Sequence, residues 1–370
     1  MAPQPIIDSH VHVFPLSDAN ADNHAWMASV PTMLKSHDME EYTKASMRNN
    51  VDYEIEGIIF VEADRNVNPL AERVEDWAWG PLKELRYLKR VVEGDNGGLI
   101  CGIVPWAPVD RGVDGLKSYL RVAEKEAGEK VWQIVKGFRF LLQGITRKEE
   151  FKSLTDSNDF IEVLREFGDR GWAFDLGIDQ RRVGSWQLEE TANIIERAHQ
   201  GVEKRKKVTF ILSMCNCVLN IYQAHSIIDH LCKPEMLQIP TSDKQRQDFK
   251  EWKACMERFA TFDNVYMKLS GGFSEMGQQY PESPIPISEV VKRLKPWTDV
   301  LIKEFSPNRI MFGSDWPVCN IGGPGDKLSW IHWKNTVSAF LDENELSAAE
   351  KDKIWFGTAV EAYKLSLVSK

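Results

Sequence analysis

PIIDSHVHVF, residues 5–14, sets Asp8, His10 and His12 at every second position of an apolar run. Alternate residues of a strand share one face, so a period-two reading puts these three polar side chains together. On an ordinary half-buried strand that face meets water. Whether it lines the mouth of a site instead depends on what surrounds it. Seven further apolar runs follow: EGIIFVEAD (56–64), LICGIVPWAP (99–108), QIVKGFRFLL (133–142), WAFDLGI (172–178), KVTFIL (207–212) with IIDHL (227–231), VYMKLSG (265–271) and RIMFGSDWPV (309–318). Between them lie stretches of helical periodicity rich in helix formers, such as DGLKSYLRVAEKEAG and DFIEVLREFGDR. ISEVVKRLKPWTDVLIKEF is another, expected to break or kink at Pro296.

Eight strand–helix units spread over the chain predict an α/β protein, a (β/α)8 TIM-like barrel forming a single domain over residues 1–370. An open doubly wound sheet is the alternative, but the glycine fingerprint of its first loop is missing. In a barrel, the C-terminal ends of the strands carry the site. Polar residues gather there: Glu62 and Asp64, Lys136 and Arg139, Asp175, Asp229 and His230, Lys268 and Ser270, Ser314 and Asp315. Each alone has a structural explanation, for instance a helix cap. Their recurrence on strand after strand argues for a site.

The bulk numbers narrow the class. A net charge of −9 argues against nucleic acid and anionic membranes as partners. No run reaches the roughly 18 apolar residues of a membrane span, and MAPQP lacks the features of a secretory signal. A cytoplasmic location is expected, with the six cysteines as thiols.

His-X-His on the first strand, IIDHLCKP near the sixth and GSDWPV on the eighth resemble the amidohydrolase superfamily. More narrowly they resemble its lactone-hydrolase branch, which includes the rhamnono- and fuconolactonases and the pyrone-dicarboxylate and sulfomuconolactone hydrolases. FVEAD, VKGFRFLLQ, FDLGI, YMKLSG and IWFGTAVEAYKL extend the likeness nearly end to end.

The resemblance implies a hydrolase of sugar-acid lactones. Asp315 is then the carboxylate that takes a proton from water and passes it to the leaving alkoxide. Arg139 and His230 hold the lactone carbonyl or a substrate carboxylate, although a barrel-mouth salt bridge, for instance to Asp175, would equally explain Arg139. His10 and His12, with Glu62 and Asp315, are the candidate metal ligands, since imidazoles at i and i+2 can reach one cation. One divalent ion, zinc or manganese, is expected; the branch also has metal-free members, so a metal-free site stays open. His24, Trp26, Asp175, Lys268 and Trp316 are candidate substrate contacts. A small-molecule lactone is the expected partner, and the aromatic-rich surface leaves room for a homodimer. The runner-up functions are decarboxylation of an aromatic or unsaturated acid and lactone binding without turnover.

Two departures from the family pattern bear on this. Asp175 stands where metal-rich amidohydrolases carry a histidine, and Lys136 precedes its strand's end, so neither a binuclear centre nor a bridging carbamate is expected. The other departure is LSMCNCVLNIYQAHS (212–226), which separates KVTFIL from IIDHL and distorts the sixth strand of the expected barrel. Ser213-Met214-Cys215 can be encoded with a splice-donor-like GTATGT, so we read the stretch as intron sequence retained in the gene prediction. Sequencing the native transcript tests this.

Overall fold

A computed structural model describes residues 3–47, 50–94, 97–213, 242–275 and 277–367. Among these, eight strands follow the predicted runs: β1 (Gln4–Val11), β2 (Tyr53–Val61), β3 (Ile100–Val104), β4 (Gly137–Phe140), β5 (Ala173–Gly177), β6 (Thr209–Ser213), β7 (Val265–Leu269) and β8 (Ile310–Phe312). All pairs are parallel, in the orders β1-β2-β3 and β4-β5-β6-β7-β8. Single bridges join the two sheets at both seams, Ile103 to Val135 and Trp106 to Arg139 on one side, Val11 to Trp316 on the other. Backbone bonds reinforce them, His12 N–H to Trp316 O at 2.8 Å and Lys136 N–H to Ile103 O at 2.9 Å. The ring of strands thus closes in sequence order.

A helix follows each strand: α1 (Met39–Ser46), α2 (Trp79–Glu93), α3 (Gly112–Gln133), α4 (Asn158–Asp169), α5 (Trp186–His199), α6 (Asp243–Ala260), α7 (Ile287–Phe305) and α8 (Ser329–Glu343). Local sequence starts several of them. Asp38 with Glu41 and Ser242 with Gln245 form capping boxes, and Ser157 accepts from Phe160 N–H. The break expected at Pro296 does not occur, and α7 runs through it. The proline removes one backbone bond, but Val290, Leu294, Trp297 and Leu301 stay buried along the same helix, and packing prevails. Among the described residues no helix is long and apolar enough to cross a membrane, and Cys101, Cys255 and Cys319 are free thiols.

The barrel interior begins with an apolar layer that includes Ile7, Ile59, Val104, Ala173, Ile211 and Met311. The last helix, α9 (Thr358–Ala362), and the residues after it close this layer with Ala359, Ala362, Tyr363 and Leu365. KVTFIL keeps the sixth place, between β5 and β7. IIDHL and most of the 212–226 stretch lie outside the described residues.

One expectation about the opening strand is corrected. Asp8 pairs with Ile58 and Val11 with Phe60, so three steps on β1 match two on β2. The extra residue is a bulge, which inverts the alternation. Ile7 faces the interior, whereas Asp8 turns outward to Tyr42 Oη and Trp330 Nε1, both at 2.9 Å, on α1 and α8. His10 and His12 then face inward, and Asp8 does not join them.

Candidate active site

The bulge brings His10 and His12 to one point at the barrel mouth, and the turn after β8 brings Asp315 to meet them. His10 Nε2 lies 3.2 Å from His12 Nε2, His12 Nε2 3.3 Å from Asp315 Oδ1, and His10 Nε2 3.4 Å from the same oxygen. All three side chains are buried. Asp315 holds φ at +59°, a left-handed setting that costs a non-glycine residue on the order of 1–2 kcal/mol and persists where its surroundings dictate it. Here the Asp315 N–H donates to His10 O at 2.9 Å, and the Ser314 N–H donates to Asp8 Oδ1 at 2.7 Å. Asp8 therefore pins the turn that presents Asp315. Gly313 sits at a close approach, where a Cβ would lie 3.1 Å from His10 Cβ and 3.2 Å from Ser270 Cβ.

The donor set fits a single divalent ion. A tetrahedral ion with bonds of about 2.0–2.1 Å separates its ligand atoms by roughly 3.3–3.4 Å, close to the sides of this triangle. His12 Nδ1 donates to Val61 O at 2.8 Å, which leaves the Nε2 lone pair facing the triangle, the usual outer support of a metal-ligating histidine. His10 is supported differently, with its Nδ1 3.4 Å from Lys268 Nζ.

Glu62 stands outside this group. Its Oε1 accepts from Arg139 Nε at 2.6 Å and its Oε2 from the Asp64 N–H at 2.6 Å. Arg139 also donates to the Glu62 carbonyl. Arg139 and Asp175 are register neighbours on β4 and β5, yet each is matched elsewhere. Asp175 Oδ2 accepts from Lys268 Nζ at 2.7 Å.

The amidohydrolase family model matches residues 223–365. The L-rhamnono-gamma-lactonase of Scheffersomyces stipitis is 28% identical over 378 residues, spanning 99% of this chain and all of that one. The L-fucono-1,5-lactonase of Burkholderia multivorans is 30% identical over 141 residues, 38% of this chain and 43% of its own. An amidohydrolase from the same bacterium, solved with bound zinc, superimposes with a TM-score of 0.64 at 21% identity, over 98% of this chain and 99% of that one. Over residues 223–365 the chain is thus similar to the amidohydrolase family, and along nearly its whole length to a lactonase.

The loop between β1 and α1 is a built part of the mouth. Asp18 ties it to Arg65 at 2.7 Å and to Lys83 at 2.8 Å. Together these charges hold the Asp18 carboxyl below its ordinary range despite its burial. Asn66 accepts from the Ala25 N–H at 2.9 Å and donates to the carbonyls of Ala21 and Asp22. The clamped loop delivers His24 Nδ1 and Trp26 Nε1 to one acceptor, Ala63 O at the end of β2, at 2.8 and 3.1 Å. Burial, helped by Arg65, drives the His24 imidazole down to about 3, so it stays neutral.

Trp26 packs in an apolar cluster with Phe14, Met27 and Val318. Trp316 is buried between the rings of His37 and Tyr42, at centroid distances of 5.4 and 5.5 Å. His230 and Asp229 lie outside the described residues. Sequence reasoning missed Asp8's outward role, His37, Glu84 and Tyr363. No motif flags them, because each acts through a partner distant in sequence.

Proposed function

We propose that this protein is a hydrolase of the amidohydrolase type that opens the lactone of a sugar acid to the hydroxy acid, with Asp315 as the general base. The observation that supports this most is the buried triangle of two imidazoles and a carboxylate at the mouth of the ring. A carboxylate held there by backbone bonds is suited to move a proton in a hydrolytic step. Its likeness to the two lactonases suggests the substrate class.

In this reading a water molecule attacks the lactone carbonyl carbon and Asp315 takes its proton. The tetrahedral oxyanion collapses, the carbon–oxygen bond of the ring breaks, and the ring oxygen leaves with the proton from Asp315. Arg139, braced by Glu62, supplies positive charge for the carbonyl or a substrate carboxylate, and His230 is assigned to the same task. His24, kept neutral, offers hydrogen-bonding capacity toward substrate hydroxyls. His10, His12 and Asp315 would hold one zinc or manganese ion, which when bound polarises a carbonyl and acidifies water.

The test is acid release from a panel of aldonolactones, before and after chelation. Asp315→Asn should lower kcat/KM by about 10²–10⁴-fold while the protein stays folded. Loss on chelation with recovery on zinc or manganese would support the ligand set. Full activity in Asp315→Asn, or carbon dioxide as the product, would overturn the proposal.

A further inference from the structure

Above the apolar floor of the barrel lies a charged layer that the proposed reaction leaves without a task. Tyr363, which follows α9, enters the ring from the floor side and places its hydroxyl 2.8 and 2.9 Å from the two oxygens of Asp175. Asp175 in turn holds Lys268 Nζ at 2.7 Å, which also lies 5.2 Å from the centroid of the Tyr363 ring. Lys268 Nζ is 3.4 Å from His10 Nδ1. Tyr363, Asp175, Lys268 and His10 are all at most 1% exposed.

A buried ion pair is a poor way to gain stability, since apolar side chains of similar volume do as well or better. The layer directly beneath is built that way, from Ile7, Ile59, Ala173, Ile211 and Met311. Replacing it one step higher with a tyrosine, a carboxylate and an amine, in contact with one ring of the triangle, has an explanation in orientation. His12 has its Nδ1 anchored on a backbone carbonyl. The Nδ1 side of His10 faces this chain of side chains through Lys268.

We propose that Tyr363 and Asp175 are positioning residues of the active centre: they fix Lys268 beside His10 Nδ1, and so set the plane of the His10 ring and aim Nε2 at His12 and Asp315. As the ammonium, Lys268 donates to Nδ1 and leaves the proton on Nε2, facing Asp315; for His10 to ligate an ion, Nδ1 carries the proton and Lys268 meets it as the neutral amine. Asp175 and Lys268 then serve the site as a strut and not as substrate contacts, the role their strand positions suggested. The effect on turnover rests on the proposed lactonase reaction; the effect on the His10 ring does not.

The experiment uses the full-length protein with 15N-labelled histidine, comparing wild type, Tyr363→Phe and Asp175→Asn. Tyr363→Phe removes a single oxygen and keeps the ring, so it is the deciding variant should Asp175→Asn not fold. In folded Tyr363→Phe the His10 ring nitrogen resonances should move while those of His12 stay in place. On any lactone the wild type opens, kcat should fall about 10–100-fold with KM within twofold, the size typical of lost outer support. Unchanged His10 resonances overturn the strut, and so does a moved ring with full kcat. If the wild type opens no lactone, the lactonase proposal falls, and the His10 signature alone decides the strut.

Discussion

Glu84 lies on α2 behind the barrel mouth, 1% exposed, and accepts the Ala63 N–H at 3.1 Å. Arg65 Nε is 3.5 Å away. Burial, opposed by Arg65 and aided by the charge of Glu62, pushes this carboxyl up to about 7 from an ordinary 4.5. A raised carboxyl means that the folded chain holds a proton the unfolded chain has released. Its contribution to stability is therefore complete below about 4.5 and is lost as the pH rises through about 7. Glu84→Gln keeps an acceptor for Ala63 and removes the titration. Urea unfolding between these pH values should show wild type losing up to about 2–3 kcal/mol relative to the variant. Parallel curves for the two proteins would show that Glu84 is ionised in the fold throughout. The same logic explains why Asp8 can stay buried. Desolvation raises its carboxyl, and the donors Ser314, Trp330 and Tyr42 offset part of that cost. Removing its side chain with Asp8→Ala leaves three donors without their acceptor and should cost about 3 kcal/mol or more, seen as a lowered urea midpoint.

At the scale of elements, the loop between β1 and α1 is held by few and specific bonds. Asn66 alone supplies three side-chain hydrogen bonds to residues 21–25. Asn66→Ala should therefore open the loop locally while the barrel stays intact. Hydrogen exchange of residues 20–27 should speed up at least about tenfold, as expected for a sub-global opening made easier by about 1.4 kcal/mol or more. The melting temperature should shift little, and KM should rise more than kcat falls, because His24 rides on this loop. Unaltered exchange would place the restraint in the Asp18–Arg65–Lys83 charges instead.

Elements also mark what could be read in advance. The eight strands were legible because β-branched runs recur between helical stretches, and the polar residues beyond their ends pointed to one face. The bulge in β1 was not, since an alternating sequence carries no sign of an extra residue. That is why Asp8 read as a partner of His10. The pairing of Arg139 was equally hidden. Its register neighbour is Asp175, but Asp175 is saturated by Lys268 and Tyr363, and the guanidinium reaches past β3 to Glu62.

Across the whole molecule, the two ends of the chain meet inside one ring. The first strand and the residue after it supply His10 and His12, and the last 60 residues supply Asp315 and the side chains that close the floor. The floor's dependence on the far end can be tested directly. A chain ending at Gly357 would lack Ala359, Ala362, Tyr363 and Leu365, all buried against the interior layer. Apolar burial of these four side chains is worth roughly 5 kcal/mol, comparable to the whole net stability of many domains. The truncated chain should therefore lose cooperative unfolding and near-ultraviolet dichroism. Leu365→Ala, which trims the floor without touching the Asp175 contact, should cost only about 2–4 kcal/mol. Its His10 resonances should match those of the wild type. That contrast separates the two tasks of the C-terminal segment, because a floor that acts only by packing would disturb His10 equally in Leu365→Ala and Tyr363→Phe.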